Sequence, residues 1–336
     1  MARVLLTGAG GFVGSHTLEH ILARTDWTVV ATDSFRHKGK TDRITQVLAA
    51  RPEWRERVQV ITHDLAAPFT AATAASMGTV DYVIAMASES HVDRSIADPV
   101  PFARNNVEVI LNTLELARDL QPDTVIVIST DEVYGPVGAD SPGHAEWAPV
   151  IPSNVYAASK AAQEAFAISY WRTYALPAVI VNCMNALGER QDAEKYVPML
   201  IRKISAGETV HIHGRPGDIG SRHWLHARNF ADALLHILRE LPPSLFPDTD
   251  RPDRYNIAVP EPVSNLALAQ EVAAIIGKDL RYELVDFHSA RPGHDPHYGL
   301  DSSKLARAGW KPPVDFHESL ARTVRWTLEH PEWLSR

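Results

Sequence analysis

The 336-residue chain has a single cysteine, Cys183, so it can form no disulfide within itself and no cysteine cluster for zinc. Positive charge is not in excess: 33 Lys and Arg stand against 41 Asp and Glu, a net charge of −8. General nucleic-acid binding needs the opposite balance. No run of about 18 apolar residues is present, so no helical membrane span is expected. Internal repeats and low-complexity tracts are also missing. The opening residues, Met1-Ala2-Arg3-Val4-Leu5-Leu6-Thr7-Gly8, read as a strand entering a glycine turn rather than a signal peptide. A reducing cytoplasm is the expected address.

What is present is a regular alternation. Short apolar runs at Val4–Thr7, Thr28–Thr32, Val58–Thr62, Tyr82–Met86, Thr124–Ser129 and Ala178–Asn182 are separated by helical patterns such as 13–23, 101–120 and 156–174. Strands rich in β-branched residues alternating with helices predict an α/β fold, a Rossmann-type doubly wound parallel sheet. After Cys183 the rhythm breaks. Helices are expected near 198–204, 229–240, 267–276 and 317–326, strands near 209–213 and 255–258, and a glycine-rich loop over 214–220. Residues 1–183 with about 224–258 are read as a dinucleotide-binding domain. About 184–223 and 259–336 are read as a smaller α/β substrate-binding region over the sheet's carboxyl edge, where open α/β sheets bind ligands.

Gly8, Gly11 and Gly14, with Phe12 and Val13 between them, sit between the first strand and the first helix. Such glycines allow a tight turn, close approach of a pyrophosphate, and phosphate binding at the helix N-terminus. Asp33 ends the second strand, where a carboxylate accepts hydrogen bonds from ribose hydroxyls and repels a 2′-phosphate. It favours NAD over NADP, with Arg36 and Lys38 weakening the case slightly. Asp64, after the third strand, is a candidate contact to adenine. Ser88 and Ser90 follow the fourth strand, placed to line the cofactor and the substrate respectively. His91 reads as a structural loop residue.

The segments Ser129-Thr130-Asp131-Glu132-Val133-Tyr134-Gly135 and Tyr156-Ala157-Ala158-Ser159-Lys160 carry the chemistry. Tyr156 and Lys160 share a helix face. A phenol with a pKa of about 10 is a poor base at neutral pH. A neighbouring ammonium and the positive nicotinamide ring would lower it. Tyr156 could then take a proton from a substrate hydroxyl while hydride leaves for NAD. Oxidation or epimerisation at one carbon needs no further acid or base, whereas loss of water does. Glu132 is the candidate base and a protonated Asp131 the candidate acid for such a loss of water.

Together these motifs resemble the extended short-chain dehydrogenase/reductase family. The phrases Ser88–Ile96 and Ser129–Gly135 narrow the resemblance to the nucleotide-sugar 4,6-dehydratases, and among them to the branch acting on dTDP-glucose. It extends nearly end to end through Glu194-Lys195, Arg222-x-Trp224, Tyr255-Asn256-Ile257, Arg291-Pro292-Gly293-His294-Asp295 and Leu320–Trp326. The resemblance implies a lyase that converts a nucleoside diphosphate hexose to its 4-keto-6-deoxy form. NAD would be used catalytically, with hydride returned to C6. It further implies that Thr130 bonds the same sugar oxygen as Tyr156, and that Asn106 supports Tyr156 and Lys160. Arg222 and Arg291 would hold the nucleotide, with Asn185, Lys195 and Asn256 as further substrate contacts. A homodimer through helices 101–120 and 158–174 is implied, the second helix being rich in alanine.

The chain departs from the family pattern in places. Asn185-Ala186-Leu187-Gly188 stands where an Asn-Asn-Tyr-Gly is usual, and Glu189-Arg190-Gln191-Asp192-Ala193 replaces a Pro-aromatic run. His213 and His223 replace a tyrosine and an acidic residue, and the loop 215–221 is about two residues longer. These changes are expected around the base and sugar pockets, which leaves a UDP-sugar open as substrate. Competing readings are a 4-epimerase of the same fold, which would not need Asp131 and Glu132, and a non-catalytic NAD-binding sensor, which would not need Tyr156 and Lys160.

Overall fold

The computed structural model describes residues 1–138, 141–259, 261–286 and 297–335. Its strands in chain order are β1 (Arg3–Thr7), β2 (Thr28–Asp33), β3 (Val58–Thr62), β4 (Tyr82–Ala85), β5 (Thr124–Thr130), β6 (Ala178–Cys183), β7 (Ala186–Leu187), β8 (Val210–Arg215), β9 (Asp218–Ile219), β10 (Ser221–Arg222), β11 (Leu225–His226), β12 (Asp253–Ile257), β13 (Val263–Ser264) and β14 (Tyr282–Val285). Seven of them form one sheet in the order β12-β6-β5-β4-β1-β2-β3, and every neighbouring pair is parallel. The chain enters at β1, winds outward to β3, and returns to β4 on the other side. The crevice where the order reverses lies between β1 and β4, at their carboxyl ends.

The first helices are α1 (Phe12–Arg24), α2 (Thr41–Ala50), α3 (Ala71–Ser76), α4 (Val92–Ala97), α5 (Pro99–Leu120) and α6 (Val155–Tyr174). They are followed by α7 (Tyr196–Ala206), α8 (Ala227–Glu240) and α9 (Asn265–Ile276), and a long helix, Phe316–Glu329, comes near the end. One sheet face is covered by α1 and α8, through Leu18, Ile21, Phe230 and Leu234. The other is covered by α5 and α6, through Ile110, Leu114 and Ala167. With both faces covered, the central strands need no polar alternation. All seven residues of β5 are buried. Each aliphatic side chain buried there contributes roughly 1.5–3 kcal/mol.

A separate apolar cluster joins α7, α9, β8 and Phe316–Glu329 through Ile201, Val272, Ile212 and Val324. Strand β14 pairs in parallel with β8. The six strands expected in the first half are present, each within one residue of its expected ends. Residues 214–220 differ from expectation. They hold an antiparallel hairpin, with Arg215 opposite Asp218, and Gly217 at φ 83° supplies the left-handed residue of its turn.

Candidate active site

The glycine turn is defined by atoms it lacks. The Gly8 N–H donates to the Thr32 carbonyl at 2.8 Å, which ties the turn to β2. A Cβ at Gly14 would lie 2.0 Å from the Gly8 carbonyl oxygen, so only glycine lets α1 pack against the turn. Asp33 lies beneath it. Its carboxylate accepts from the Gly10 N–H at 3.0 Å and the Phe35 N–H at 2.9 Å. Burial raises its pKa, and these backbone donors oppose the rise. Arg36 ion-pairs with Asp64 at 2.9 Å.

These residues line one side of a cleft of about 270 Å³ that runs from Gly8, Gly11, Phe12, Val13 and Gly14 past Asp33 and Asp64 to Ser88 and Ser90. Its far end is lined by Tyr156, Lys160, Cys183 and Lys195. Sequence-distant motifs thus meet in one crevice, at the carboxyl ends of β1, β4, β5 and β6.

Thr130 closes β5, and a short 3-10 turn then carries Asp131 and Glu132. The Thr130 hydroxyl donates to Asp131 Oδ1 at 2.9 Å, and it shares a hydrogen bond with the Tyr156 phenol. Asp131 Oδ2 is buried with no hydrogen-bond partner among the described residues. Burial, and next the neighbouring Glu132 carboxylate, push the Asp131 pKa up to about 7. A carboxyl with one satisfied oxygen and a half-populated proton at neutral pH is suited to donate it. Arg222 lies close enough to act electrostatically on Asp131 in the opposite direction.

Glu132 is held from α6. Asn154 caps that helix, its Oδ1 accepting from the Ala157 N–H, and its amide nitrogen donates to Glu132 Oε2 at 2.9 Å. This tie was not read from the sequence, although an Asn one residue ahead of a helix is an N-cap signal. Lys195 is half-buried in the same cleft and acts electrostatically with Glu132.

Tyr156 departs from the expected titration. Burial foremost, then the Glu132 carboxylate, hold its phenol well above the usual value, and the Thr130 hydrogen bond opposes them. The Lys160 ammonium instead donates to the Ile128 carbonyl and to Gln163 Oε1, both at 2.5 Å, and burial lowers its pKa to about 8. Gln163 Nε2 donates in turn to the Asn106 carbonyl at 2.8 Å, and Asn106 Nδ2 donates to the Ser159 hydroxyl at 2.9 Å. Asn106 is fully buried behind the cleft wall, so its support of Lys160 runs through Gln163. Cys183 lies opposite Thr130 in register, and burial pushes its thiol up to about 12.

The substrate residues expected from the sequence are placed unequally. Arg222 is buried, with its guanidinium 4.8 Å from the Tyr298 ring. Asn185 is exposed just beyond β6. Asn256 differs from expectation: its amide nitrogen donates to the His144 and Asp301 carbonyls at 2.9 and 3.1 Å, and the residue is fully buried. It ties loops to β12 rather than offering hydrogens to a sugar. Arg291 lies outside the described residues. The run Glu189–Asp192 is buried; Gln191 and Asp192 line the cleft, whereas Glu189 and Arg190 do not. Glu189 bonds His226, Arg190 pairs with Glu19, and Asp192 pairs with Arg43, so this departure from the family pattern fills joints in the fold.

A doubly wound sheet, a glycine turn with an acidic residue at the end of β2, and a Tyr-x-x-x-Lys helix facing that turn define an extended short-chain dehydrogenase/reductase. Residues 5–323 match the family model described as GDP-mannose 4,6 dehydratase, and the chain belongs to that family of nucleotide-sugar dehydratases. It is 32% identical over 354 residues to the dTDP-glucose 4,6-dehydratase of Neisseria meningitidis, covering 99% of this chain and 95% of the relative. It is 31% identical to the low-salt glycan biosynthesis protein Agl12 of Haloferax volcanii, over 98% and 99% of the two chains. The crystal structure of DesIV, a dTDP-glucose 4,6-dehydratase from Streptomyces venezuelae solved with NAD bound, superposes with a TM-score of 0.84 at 32% identity, over 98% of each chain.

Proposed function

We propose that this protein is an NAD-dependent nucleotide-sugar 4,6-dehydratase that acts on a nucleoside diphosphate hexose, dTDP-glucose first. The observation that carries this reading is the Asp131–Glu132 pair beside Tyr156. Asp131 keeps a buried, unpartnered oxygen and a pKa of about 7, an arrangement that a one-carbon oxidation or epimerisation does not require.

The residues present fit a dinucleotide. The Cβ-free approach at Gly14, the donors of the α1 N-terminus and the Asp33 carboxylate suit a pyrophosphate and an adenosine ribose, and Arg36 is occupied by Asp64. NAD, when bound, supplies a hydride acceptor and, once reduced, a hydride donor. Tyr156, with Thr130 on the same oxygen, would take the proton of the sugar's 4-hydroxyl once the positive charge of a bound nicotinamide ring, with that of Lys160, offsets the burial that raises its pKa. The resulting ketone acidifies the proton on C5, which Glu132 removes. Asp131 protonates the departing 6-hydroxyl, and one water leaves. Lys160, fixed by the Ile128 carbonyl and Gln163, keeps positive charge beside the phenol. Arg222 and Lys195, with Arg291, would hold the diphosphate, because a guanidinium fork pairs with phosphate oxygens. Residues 1–183 with about 224–258 hold the cofactor in this reading, and 184–223 with 259–336 the nucleotide sugar.

A homodimer through α5 and α6 is part of the proposal. The two helices pack side by side, and Ala158 and Ala165 are exposed on α6. The single thiol suits a reducing cytoplasm. The test is a product assay on dTDP- and UDP-hexoses by mass spectrometry and NMR. Loss of one water, with a 4-keto-6-deoxy product and no net NAD turnover, is expected. An unchanged mass with inverted C4 overturns the reading in favour of an epimerase.

A further inference from the structure

A second cleft, of about 320 Å³, lies away from the catalytic one, between α1, the start of α8 and the helix Phe316–Glu329. Five arginines line it against two glutamates. Two of the guanidiniums are matched: Arg190 ion-pairs with Glu19, and Arg322 pairs with Glu189 at 3.1 Å. Arg228, at the N-terminus of α8, has no ion pair and no side-chain hydrogen bond among the described residues, and its Nε and one Nη are buried without a partner. Arg190 Nε is buried without a partner as well. Buried donors left without an acceptor are costly, so a ligand that accepts from them is favoured. Burial, and next the charge of Arg322, lower the Arg228 pKa, and the Glu189, Glu19 and Glu318 carboxylates oppose them only in part.

The cleft also touches His16, Glu189 and His226, whose ligating atoms lie within 4.8 Å of one another. Their hydrogen bonds speak against a metal. His226 Nδ1 accepts the Arg228 N–H at 2.9 Å, so its Nε2 carries the proton and donates to Glu189 Oε2 at 3.0 Å. His16 Nε2 faces the Glu189 carbonyl oxygen at 2.8 Å and must also carry its proton. Neither nitrogen has a lone pair to offer. The surplus in this cleft is of donors and positive charge.

We propose that this cleft binds a phosphate-type oxyanion on Arg228, Arg190 and Arg322. Guanidinium forks match tetrahedral oxyanions with paired hydrogen bonds, and the α8 N-terminus adds its dipole. The indole of Trp326, stacked on His330 at 4.1 Å, forms an apolar wall for the organic part of a phosphoester. Four consecutive residues link the two clefts: Glu189 and Arg190 line this one, and Gln191 and Asp192 line the dinucleotide cleft.

The test is calorimetric titration of inorganic phosphate and of glucose 1-phosphate into the full-length protein at fixed ionic strength, with NAD and dTDP saturating the catalytic cleft. One further equivalent should bind, and Arg228→Gln should weaken it about tenfold or more. Arg322→Gln, on an exposed helix face, should weaken it in the same direction and serves if the first variant does not fold. Tighter uptake of the sugar phosphate identifies a phosphoester as the ligand, and equal uptake identifies free phosphate. No uptake by the wild type under these conditions, or uptake unchanged in both variants, overturns the proposal.

Discussion

At the β1–α1 end of the catalytic cleft, space is made by missing atoms. Gly14 packs where a Cβ would overlap a carbonyl oxygen, and, the Asp33 carboxylate apart, the groups that face a phosphate are backbone N–H donors whose charge does not change with pH. At the β5–α6 end, behaviour is set by ionisable side chains crowded together. Asp131, Glu132 and Tyr156 lie within one another's fields, Asp131 and Lys160 both act on Cys183, and burial shifts Asp131, Tyr156 and Lys160. The first end is fixed by steric exclusion and should fail abruptly when filled. The second is fixed by balance and should respond gradually to pH and to charge.

The largest effect expected is therefore steric. Gly14→Val places carbon where the Gly8 oxygen sits, and NAD retention on purification should fall to background. A variant that keeps full cofactor would mean the turn can open at little cost. Next is Glu132→Gln at the other end. It should let the sugar be oxidised at C4, seen as accumulated NADH absorbance, while 4-keto-6-deoxy product falls about a hundredfold to ten-thousandfold. Normal product release from this variant would remove Glu132 as the base.

The smallest effect is graded. Asp131 is raised to about 7, so its proton is held below that pH and lost above it, and turnover should decline as pH rises through about 7. The linkage has the same sign. Its folded-state pKa exceeds the ordinary carboxylate value of about 3.9, so the stability this group contributes is full below that value and is lost as pH rises through about 7. Asp131→Asn should lower kcat, flatten the fall in Tm between about pH 4 and about pH 7, and leave the Gly8–Gly14 end unaffected. An unchanged alkaline limb in the variant would assign the titration to another group.

The same contrast explains what could be read from the chain. The six strands of the first half were legible because parallel strands covered on both faces must be continuous apolar runs. Tyr156 and Lys160 were legible because helical spacing alone puts them on one face. Helix α2 was not, because Arg43 on it looks like a surface residue. It is fully buried, donating to the Arg190, Lys38 and Gly10 carbonyls and pairing with Asp192 at 3.0 Å. Nor was the support behind the carboxylates. Arg254 Nη2 donates to Glu164 Oε2 at 2.7 Å, Asn182 Nδ2 donates to Glu164 Oε1 at 2.8 Å, and the same nitrogen donates to the Thr130 carbonyl at 3.1 Å. Breaking such a buried ion pair costs about 3–5 kcal/mol, yet Arg254 lies on β12, Glu164 on α6 and their neighbour Asn182 on β6.

Local rules decided the sheet, the glycine turn, the Tyr-x-x-x-Lys face and the order of the motifs, because periodicity and turn sterics act over a few residues. Only the tertiary structure decided the charge states. Asn256 became a loop tie, Glu189–Asp192 became a joint between layers, and Asp131 gained its raised pKa through burial. A side chain's hydrogen bonds and solvation depend on neighbours that folding brings from distant parts of the chain.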